Sequence, residues 1–329
     1  MKSNKIVKPL AVLCAAVLLA ISVTDLFPIA LAEQYHTGGA EISETVKNLD
    51  INWTSGRVNI AYHSGNTVII SEKSAGAISK DRQMRWCLDG DTLRIEYQQP
   101  GLHLFSIFSH EKELTVTLPK DRALEKANIY TTSGELSIPA LYADSLTLKT
   151  TSSSIRAAVN ARTVTAKMTS GDMELQVLNE AEEISLKAVS GEITLESAGT
   201  AGKTVIETTS GSIRATVKAA GELKAASTSG DIQAVVGSAK KAEIGSVSGK
   251  VFVKMAALDE LGIRTTSGDV TVYLPAAPGF TASIETTSGN VLQNLPMTKN
   301  GKDYVAGDGS AAVKIHTTSG DITLSSIQN

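Results

Sequence analysis

Three lysines recur at a nearly fixed interval in segments that read as strands. Lys149, Lys167 and Lys187 each follow a Thr or Ser placed two positions earlier. When such segments stack as parallel strands, equivalent residues lie about 4.8 Å apart on one face. Like charges at that distance repel each other unless solvent or a bound anion neutralises them. The row is therefore a candidate site for an anionic polymer, such as a wall teichoic acid, an acidic glycan or lipid head groups, and a solvated face is the alternative.

The side chains that usually bind metals are scattered. None of the five histidines shows the short paired spacing of a zinc site, and they stand at His36, His63, His103, His110 and His316. The one local group joins His103 and His110 with Glu111 and Glu113. A solvated loop explains this group better than a metal site does, so we expect no metal and no cofactor.

A second series of carboxylates follows a recurrent glycine. It comprises Asp172, Glu192, Asp231, Asp269 and Asp321. A column of calcium ions would need several oxygen ligands for each ion. In other copies of the pattern the same place is taken by Ser154, Ser212, Lys250 and Asn290. Turn formation is therefore the better interpretation of these carboxylates.

Catalytic signatures are missing from the sequence. It has no G-x-S-x-G, no G-x-x-x-x-G-K and no H-E-x-x-H. Cys87, the one cysteine beyond the N-terminal segment, lies in a strand-like run, where a packed cysteine is expected. We therefore predict no enzyme. The alternative is a carbohydrate-active enzyme on envelope polysaccharide, because solenoid lyases and hydrolases place Asp, Lys and Arg on outer faces without a local motif.

The composition excludes some classes of protein. The 329 residues include 31 Lys and Arg against 34 Asp and Glu, a formal net charge of -3. Because phosphate contacts supply much of the affinity for nucleic acids, a nucleic-acid partner is not expected. At 42% hydrophobic and 20% charged residues the chain can bury a core and is not a disordered tail. Aromatic residues make up 4%, which favours thin, repetitive layers of small aliphatic side chains.

The N-terminus has the features of a targeting segment. Lys2, Lys5 and Lys8 precede an apolar run over residues 10–23, and Ala30-Leu31-Ala32 supplies small residues two apart. Residues 1–32 are therefore interpreted as a signal peptide or an N-terminal membrane anchor. Both readings predict an extracytoplasmic protein, secreted or anchored at the cell surface, with membrane association through the N-terminus in the second case.

A Thr-Ser-Gly-Asp motif and its variants recur every 18 to 21 residues through most of the second half. Its glycine position falls at Gly134, Ser153, Gly171, Gly191, Gly211, Gly230, Gly249, Gly268 and Gly289, with a last copy at Gly320. A period this short cannot hold two helices and is typical of one coil of a solenoid. The sequence thus predicts an all-β fold, a parallel β-solenoid (β-helix) of about ten coils with a period of 19–20 residues.

Two columns of apolar residues accompany the glycine. One column stands five residues before it and contains Ile129, Leu148, Ala166, Leu186, Ile206, Ala225, Ile244, Ile263 and Ile284. The other stands two residues after it and contains Leu136, Ile155, Met173, Ile193, Ile213, Ile232, Val251, Val270 and Val291. Because strand side chains alternate between faces, both columns are predicted to point inward.

The chain ahead of the repeat is strand-rich but irregular. We interpret residues 33–120 as an N-terminal β cap domain and residues 121–329 as the solenoid, because an open first coil would expose core and unpaired strand edges. The interval from Gly289 to Gly320 is longer than one coil and predicts a loop or hairpin insertion around 294–309. The chain stops nine residues after Gly320, which predicts an uncapped C-terminal end.

The Thr-Thr-Ser-Gly-Asp-Ile repeats, the upstream copy Trp53-Thr54-Ser55-Gly56 and the strand ending Leu118-Pro119 resemble a bacterial β-strand-repeat family of candidate adhesins that includes LiaG-like envelope proteins. The resemblance covers most of 40–329. It implies a non-catalytic cell-envelope protein, adhesin-like or structural, whose repetitive outer faces contact an envelope polymer or a surface protein. An accessory role in envelope-stress sensing is a further alternative that the resemblance implies. The pattern leaves the oligomeric state open.

Overall fold

The computed structural model describes residues 35–98, 111–120 and 122–327. Apart from a single 3₁₀ turn at Lys80–Arg82, the regular elements of these residues are strands. In chain order the strands are β1 (His36–Thr37), β2 (Ala40–Ile42), β3 (Asn48–His63), β4 (Val68–Ser74), β5 (Arg85–Asp89), β6 (Thr92–Glu96), β7 (Lys112–Pro119), β8 (Leu124–Ser170), β9 (Met173–Val177), β10 (Ala181–Ser190), β11 (Ile193–Ser210), β12 (Ile213–Ser229), β13 (Ile232–Ser248), β14 (Val251–Ser267), β15 (Val270–Leu274), β16 (Gly279–Ser288), β17 (Val291–Asn294), β18 (Thr298–Asn300), β19 (Asp303–Gly307), β20 (Ala311–Ser319) and β21 (Ile322–Ser326).

Successive coils pair in parallel with equivalent residues side by side. Leu186 of β10 pairs with Ile206 of β11, which pairs in turn with Ala225 of β12. The same register continues from β12 through β13 to β14. The prediction of an all-β parallel solenoid with a 19–20 residue period is confirmed.

The two apolar columns form the core. Every member is at most 2% exposed except Ile284 and Val291. Ile284 is half-buried and Val291 is 37% exposed. Both exceptions belong to the coil made by β16 and β17, and its position in the stack explains them.

Glycine is required where the turns of successive coils meet. A Cβ built on Gly191 would lie 1.6 Å from the carbonyl oxygen of Gly171, and one on Gly211 would lie 1.9 Å from that of Gly191. Gly191 also has a φ of 110°, which side-chain-bearing residues rarely adopt. The backbones of neighbouring turns are therefore in direct contact, with no space for a side chain between them.

Hydroxyl residues fill the inward position three residues before the glycine in most coils. Ser227 donates to the carbonyl oxygen of Gly211 at 3.1 Å, and Ser246 donates to that of Gly230 at 3.1 Å. Both side chains are buried. In these two coils the hydroxyl satisfies a glycine carbonyl of the preceding coil. The threonine hydroxyls at the same position, on Thr150, Thr208 and Thr265, are buried without a hydrogen-bond partner among the described residues.

The N-terminal strands stack out of chain order. β3 pairs in parallel with the start of β8, so that Ile51 lies beside Ile129 and Gly56 beside Gly134. On its other side β3 pairs in parallel with β6 and β7. β3 is therefore enclosed between strands that follow it in the chain. Beyond it, β5 and β4 add antiparallel to β6 and β7, and the short strands β1 and β2 form the outermost edges.

The C-terminal strands repeat this arrangement. β20 lies between β14 and β16, and β21 lies between β15 and β17, all in parallel. The last copy of the motif does not form the outermost coil, because the coil of β16 and β17 lies beyond it. The hairpin predicted around 294–309 is present as β18 and β19, and residues 304–307 of β19 pair antiparallel with 279–282 of β16. The hairpin thus covers part of this end.

The predicted targeting segment at 1–32 lies outside the described residues. Within the described ranges, no helix has the length and apolar character needed to cross a membrane.

Replacing Gly191 with alanine should lower the free energy of unfolding by at least about 2 kcal/mol, because the new methyl group overlaps the Gly171 carbonyl and the φ is unfavourable. Gly262→Ala is the matched control, since a Cβ there meets its nearest atom at 3.9 Å. Urea unfolding followed by circular dichroism measures both. Equal stability of the two variants would contradict the steric role of the glycine column.

Candidate functional site

The three predicted lysines occupy one outward column. Lys187 of β10 pairs with Lys167 of β8 in the parallel register. Lys149 precedes Lys167 by 18 residues, the offset at which Ile155 pairs with Met173 in the same coils. We call Lys149, Lys167 and Lys187 the basic row. Its side chains are half-buried, so their aliphatic stems pack against neighbouring residues and the ammonium groups reach the surface.

One end of the basic row is closed by a carboxylate. Glu207 occupies the next position of the column, and its carboxylate contacts Lys187 Nζ at 2.8 Å and Lys224 Nζ at 2.5 Å. Burial alone would raise the pKa of the Glu207 carboxyl, but the two ammonium groups outweigh it and hold that pKa below its usual value. Glu207 is thus ionised at neutral pH and neutralises much of the charge of Lys187.

The other two lysines differ from Lys187. Lys149 Nζ lies 5.0 Å from the ring centroid of Tyr130. Among the described residues, no carboxylate lies within ion-pair distance of Lys149 or Lys167. The basic row therefore presents two cations without an acidic partner among the described residues, one of them beside an aromatic ring, and a third cation that is already paired.

Charges on the strand that leaves the turn are arranged differently. Glu135 accepts from Arg57 at 2.9 Å and lies 3.4 Å from Arg156, which also contacts Glu174 at 3.1 Å. Basic and acidic residues alternate over these coils, and mostly uncharged residues hold the equivalent positions further along the rod. The charges of this face are compensated internally, which makes it a poor site for a polyanion.

The carboxylates after the glycine act in the turns. Asp172 Oδ1 accepts from the backbone N–H of Glu192 at 3.0 Å, and Asp231 Oδ1 accepts from that of Lys250 at 2.8 Å. Asp321 does the same for the backbone N–H of Asn290 at 2.7 Å. In each case the carboxylate binds the equivalent amide of the adjacent coil. The described part of the chain contains no group of three or more His, Cys, Asp or Glu side chains that could hold a metal.

A buried ion pair near the N-terminal end was not anticipated. Lys112 Nζ lies 2.6 Å from Glu72 Oε1, and the two side chains are 4% and 5% exposed. Lys112 also donates to the carbonyl oxygens of Arg82, at 2.8 Å, and of Tyr97. Its ammonium lies 3.8 Å from the ring centroid of Tyr97 and 5.2 Å from that of Trp53. Burial lowers the pKa of the Lys112 ammonium, and the adjacent Glu72 carboxylate opposes this shift.

This ion pair joins separate elements of the N-terminal region. Glu72 lies on β4 and Lys112 begins β7, while the backbone N–H of Met84 donates to Glu72 Oε2 at 2.9 Å. All hydrogen-bonding atoms of the pair are occupied by the protein, so it is a structural link and not an open site. No local sequence pattern predicts this ion pair, because Glu72 and Lys112 are forty residues apart and meet only through the out-of-order stacking of the N-terminal strands.

The remaining chemical candidates are not assembled into a site. Cys87 is buried on β5, and burial raises the pKa of its thiol, which keeps it protonated. His103 and His110 lie outside the described residues, and Glu113 accepts from Asn59 Nδ2 at 2.6 Å. Glu207 and Lys224, in contrast, belong to the site and were missed, although the repeat register already places Glu207 in the lysine column.

A family model described as Toastrack DUF4097 matches residues 46–176 and again 158–325. No curated protein matches the chain.

Several solved structures match this chain. One is a candidate cell adhesion protein from Clostridium sporogenes, with 14% identity and a TM-score of 0.24, and the match covers 89% of this chain and 100% of that one. A candidate adhesin from Parabacteroides merdae has 13% identity and a TM-score of 0.48, and the match covers 74% and 97%. A candidate lipid binding protein from Parabacteroides distasonis has 12% identity and a TM-score of 0.35, and the match covers 90% and 98%.

Lys112→Met should reduce the free energy of unfolding by about 3–5 kcal/mol, because it leaves the Glu72 carboxylate buried without its partner. The control is Lys73→Met, a neighbouring lysine whose side chain is exposed on β4. Chemical denaturation of the two variants measures the difference. A loss no larger for Lys112→Met than for the control would show that the pair is dispensable.

Proposed function

Because the chain belongs to the Toastrack DUF4097 family, we propose that it is an exported, non-catalytic protein of the cell envelope that binds an anionic envelope polymer along the basic row. The family membership confirms the resemblance to a bacterial β-strand-repeat family that the repeat motif indicates. The N-terminal segment directs the solenoid to the outside of the cell as a signal peptide or holds it at the membrane as an anchor. The rod then acts as an interaction surface.

The observation that carries this proposal is the register of the lysines. Lys167 and Lys187 are direct neighbours across parallel strands, and Lys149 holds the equivalent position in the coil before Lys167. An extended chain of phosphates or carboxylates fits such a row, because each coil contributes one cation at a spacing of about 4.8 Å. Binding through several weak contacts needs no pocket, and its strength falls with salt because the cations are solvent-accessible.

The Glu207 carboxylate limits how strongly the basic row can bind an anion. Glu207 competes with any bound anion for Lys187, since it lies 2.8 Å from that ammonium. The uncompensated positive charge is therefore concentrated at Lys149 and Lys167, towards Tyr130. A polymer bound there would contact the tyrosine ring as well as the two ammonium groups.

Replacing Lys149, Lys167 and Lys187 together by glutamine should weaken binding to an anionic envelope polymer about thirtyfold at low salt. Each unpaired lysine near an anionic surface contributes about 1 kcal/mol, and Lys187 contributes less because it is paired with Glu207. The probes are purified teichoic acid, a uronic acid polymer, and vesicles with and without anionic phospholipid, each over a salt series. These probes distinguish wall polymer, acidic glycan and lipid head group.

The control for the triple variant is the set Lys218, Lys240 and Lys254, also changed to glutamine. It removes the same net charge from exposed positions outside the basic row. Equal retention of both triple variants and the parent protein on every probe, with the same salt dependence, would overturn the proposal.

Glu207→Gln should strengthen the same binding by about fivefold, because it releases Lys187 and Lys224 from an ion pair near the surface, which is worth up to about 1 kcal/mol. Glu196→Gln removes one carboxylate from the same strand, β11, outside the basic row, where Glu196 accepts a hydrogen bond from Gln176 at 3.3 Å, and serves as the charge control. Titration with the polymer that the parent protein binds measures the affinities. A gain of the same size in both variants would mean that overall charge, and not the basic row, governs binding.

A further inference from the structure

The two ends of the rod are finished differently. At the N-terminal end the outermost strands are β1 and β2, of two and three residues, beyond a pair of antiparallel strands. At the other end the last coil consists of β16 and β17. Within the described residues, β17 pairs with β21 and with no other strand, and the hairpin strand β19 covers only residues 279–282 of β16. We call the uncovered edge, residues 283–294, the open end.

The open end exposes apolar side chains. Val291 is 37% exposed, whereas the equivalent residues in the other coils are at most 1% exposed, and Ile284 is only half-buried. These two side chains hold core positions, but no further coil lies on top of them in the described part of the chain. Leu292 points outward and is 55% exposed, at a position where β21 has Thr323.

Among the described residues, backbone N–H groups of the open end also lack the hydrogen-bond partners that their equivalents have in inner coils. In inner coils the N–H of the turn glycine donates to the next coil, as Gly191 does to the carbonyl oxygen of Ser210 at 3.1 Å. The second residue after the glycine does the same, as Ile193 does to Ser212 at 3.0 Å. Gly289 and Val291 occupy these positions in the last coil, where no following coil is present. A strand placed along β17 would pair with these donors.

The open end also lacks the charges that usually protect a strand edge. Residues 283–294 include one charged side chain, Glu285, and it lies 3.7 Å from His316. The corresponding stretch of an inner coil, 243–254, carries Glu243, Lys250 and Lys254. A two-fold axis brings a surface against itself, so any net charge on that surface repels its copy. This nearly neutral edge fits a second copy better than it fits a charged partner.

We propose that the open end is a self-association surface, through which two copies of the chain join end to end about a two-fold axis. Antiparallel pairing of β17 with β17 of the second copy satisfies backbone groups on both sides and buries Val291 and Leu292. The opposite end is closed by its short antiparallel strands, so the assembly stops at two copies and does not extend into a filament.

The test is the oligomeric state of the full chain, kept in a mild detergent so that the apolar N-terminal run is shielded. Sedimentation equilibrium over a range of concentrations should show a reversible monomer–dimer equilibrium. Leu292→Lys should raise the dissociation constant at least tenfold, since it places two like charges in the contact. Leu178→Lys is the matched control, because Leu178 is 40% exposed at a corner away from the open end and should leave the equilibrium unchanged.

Particle length provides an independent measurement. Negative-stain images of the dimer should show rods about twice as long as those of Leu292→Lys. Monomers at every concentration would overturn the proposal and leave the open end to a strand from another protein. A dimer no longer than one rod, or one that Leu292→Lys leaves intact while circular dichroism shows both proteins folded, would also overturn it.

Discussion

The contact between the turns of successive coils is the constraint on which the rest of the structure depends. At most turns a glycine of one coil contacts the carbonyl of the glycine in the neighbouring coil, closer than any side chain would permit, and Gly171 contacts the carbonyl of Ser153 in the same way. This approach sets the strands at the spacing of a parallel sheet and fixes the register in which the aliphatic columns meet. The buried hydroxyls before the glycine and the aspartates after it bind the same stretch of backbone, so polar and steric requirements fall on one short motif.

The repeated half of the fold could be predicted because it is set by local periodicity. One glycine per coil and two apolar columns were enough to identify the inward side chains, and the same register placed the three lysines together. The two ends could not be predicted in this way. The pairing of Ile51 with Ile129, and of Ile263 with Ile315, joins residues whose separation is not a single repeat, and no local signal records which coil stacks on which. The Lys112–Glu72 pair depends on the same non-local stacking.

Charge is distributed unevenly around and along the rod. The strand leaving the turn carries compensated pairs such as Arg57 with Glu135, whereas the strand entering the turn carries the uncompensated part of the basic row. Along the axis, the number of charged side chains falls towards the last coil, where Glu285 is the one charged residue of the open end. A molecule with small overall charge thus has one side suited to anions and one end suited to a neutral contact, while its interior is the same throughout.

The enclosure of the last two strands has a mechanical consequence. β20 and β21 each have strands on both sides, so the C-terminal end of the described chain does not lie in an outermost layer. Tension applied to this end would have to shear two ladders of hydrogen bonds at once. At the N-terminal end the first strands, β1 and β2, lie at the edges and can peel away first. The described rod therefore resists unravelling from its C-terminal end more than from its N-terminal end.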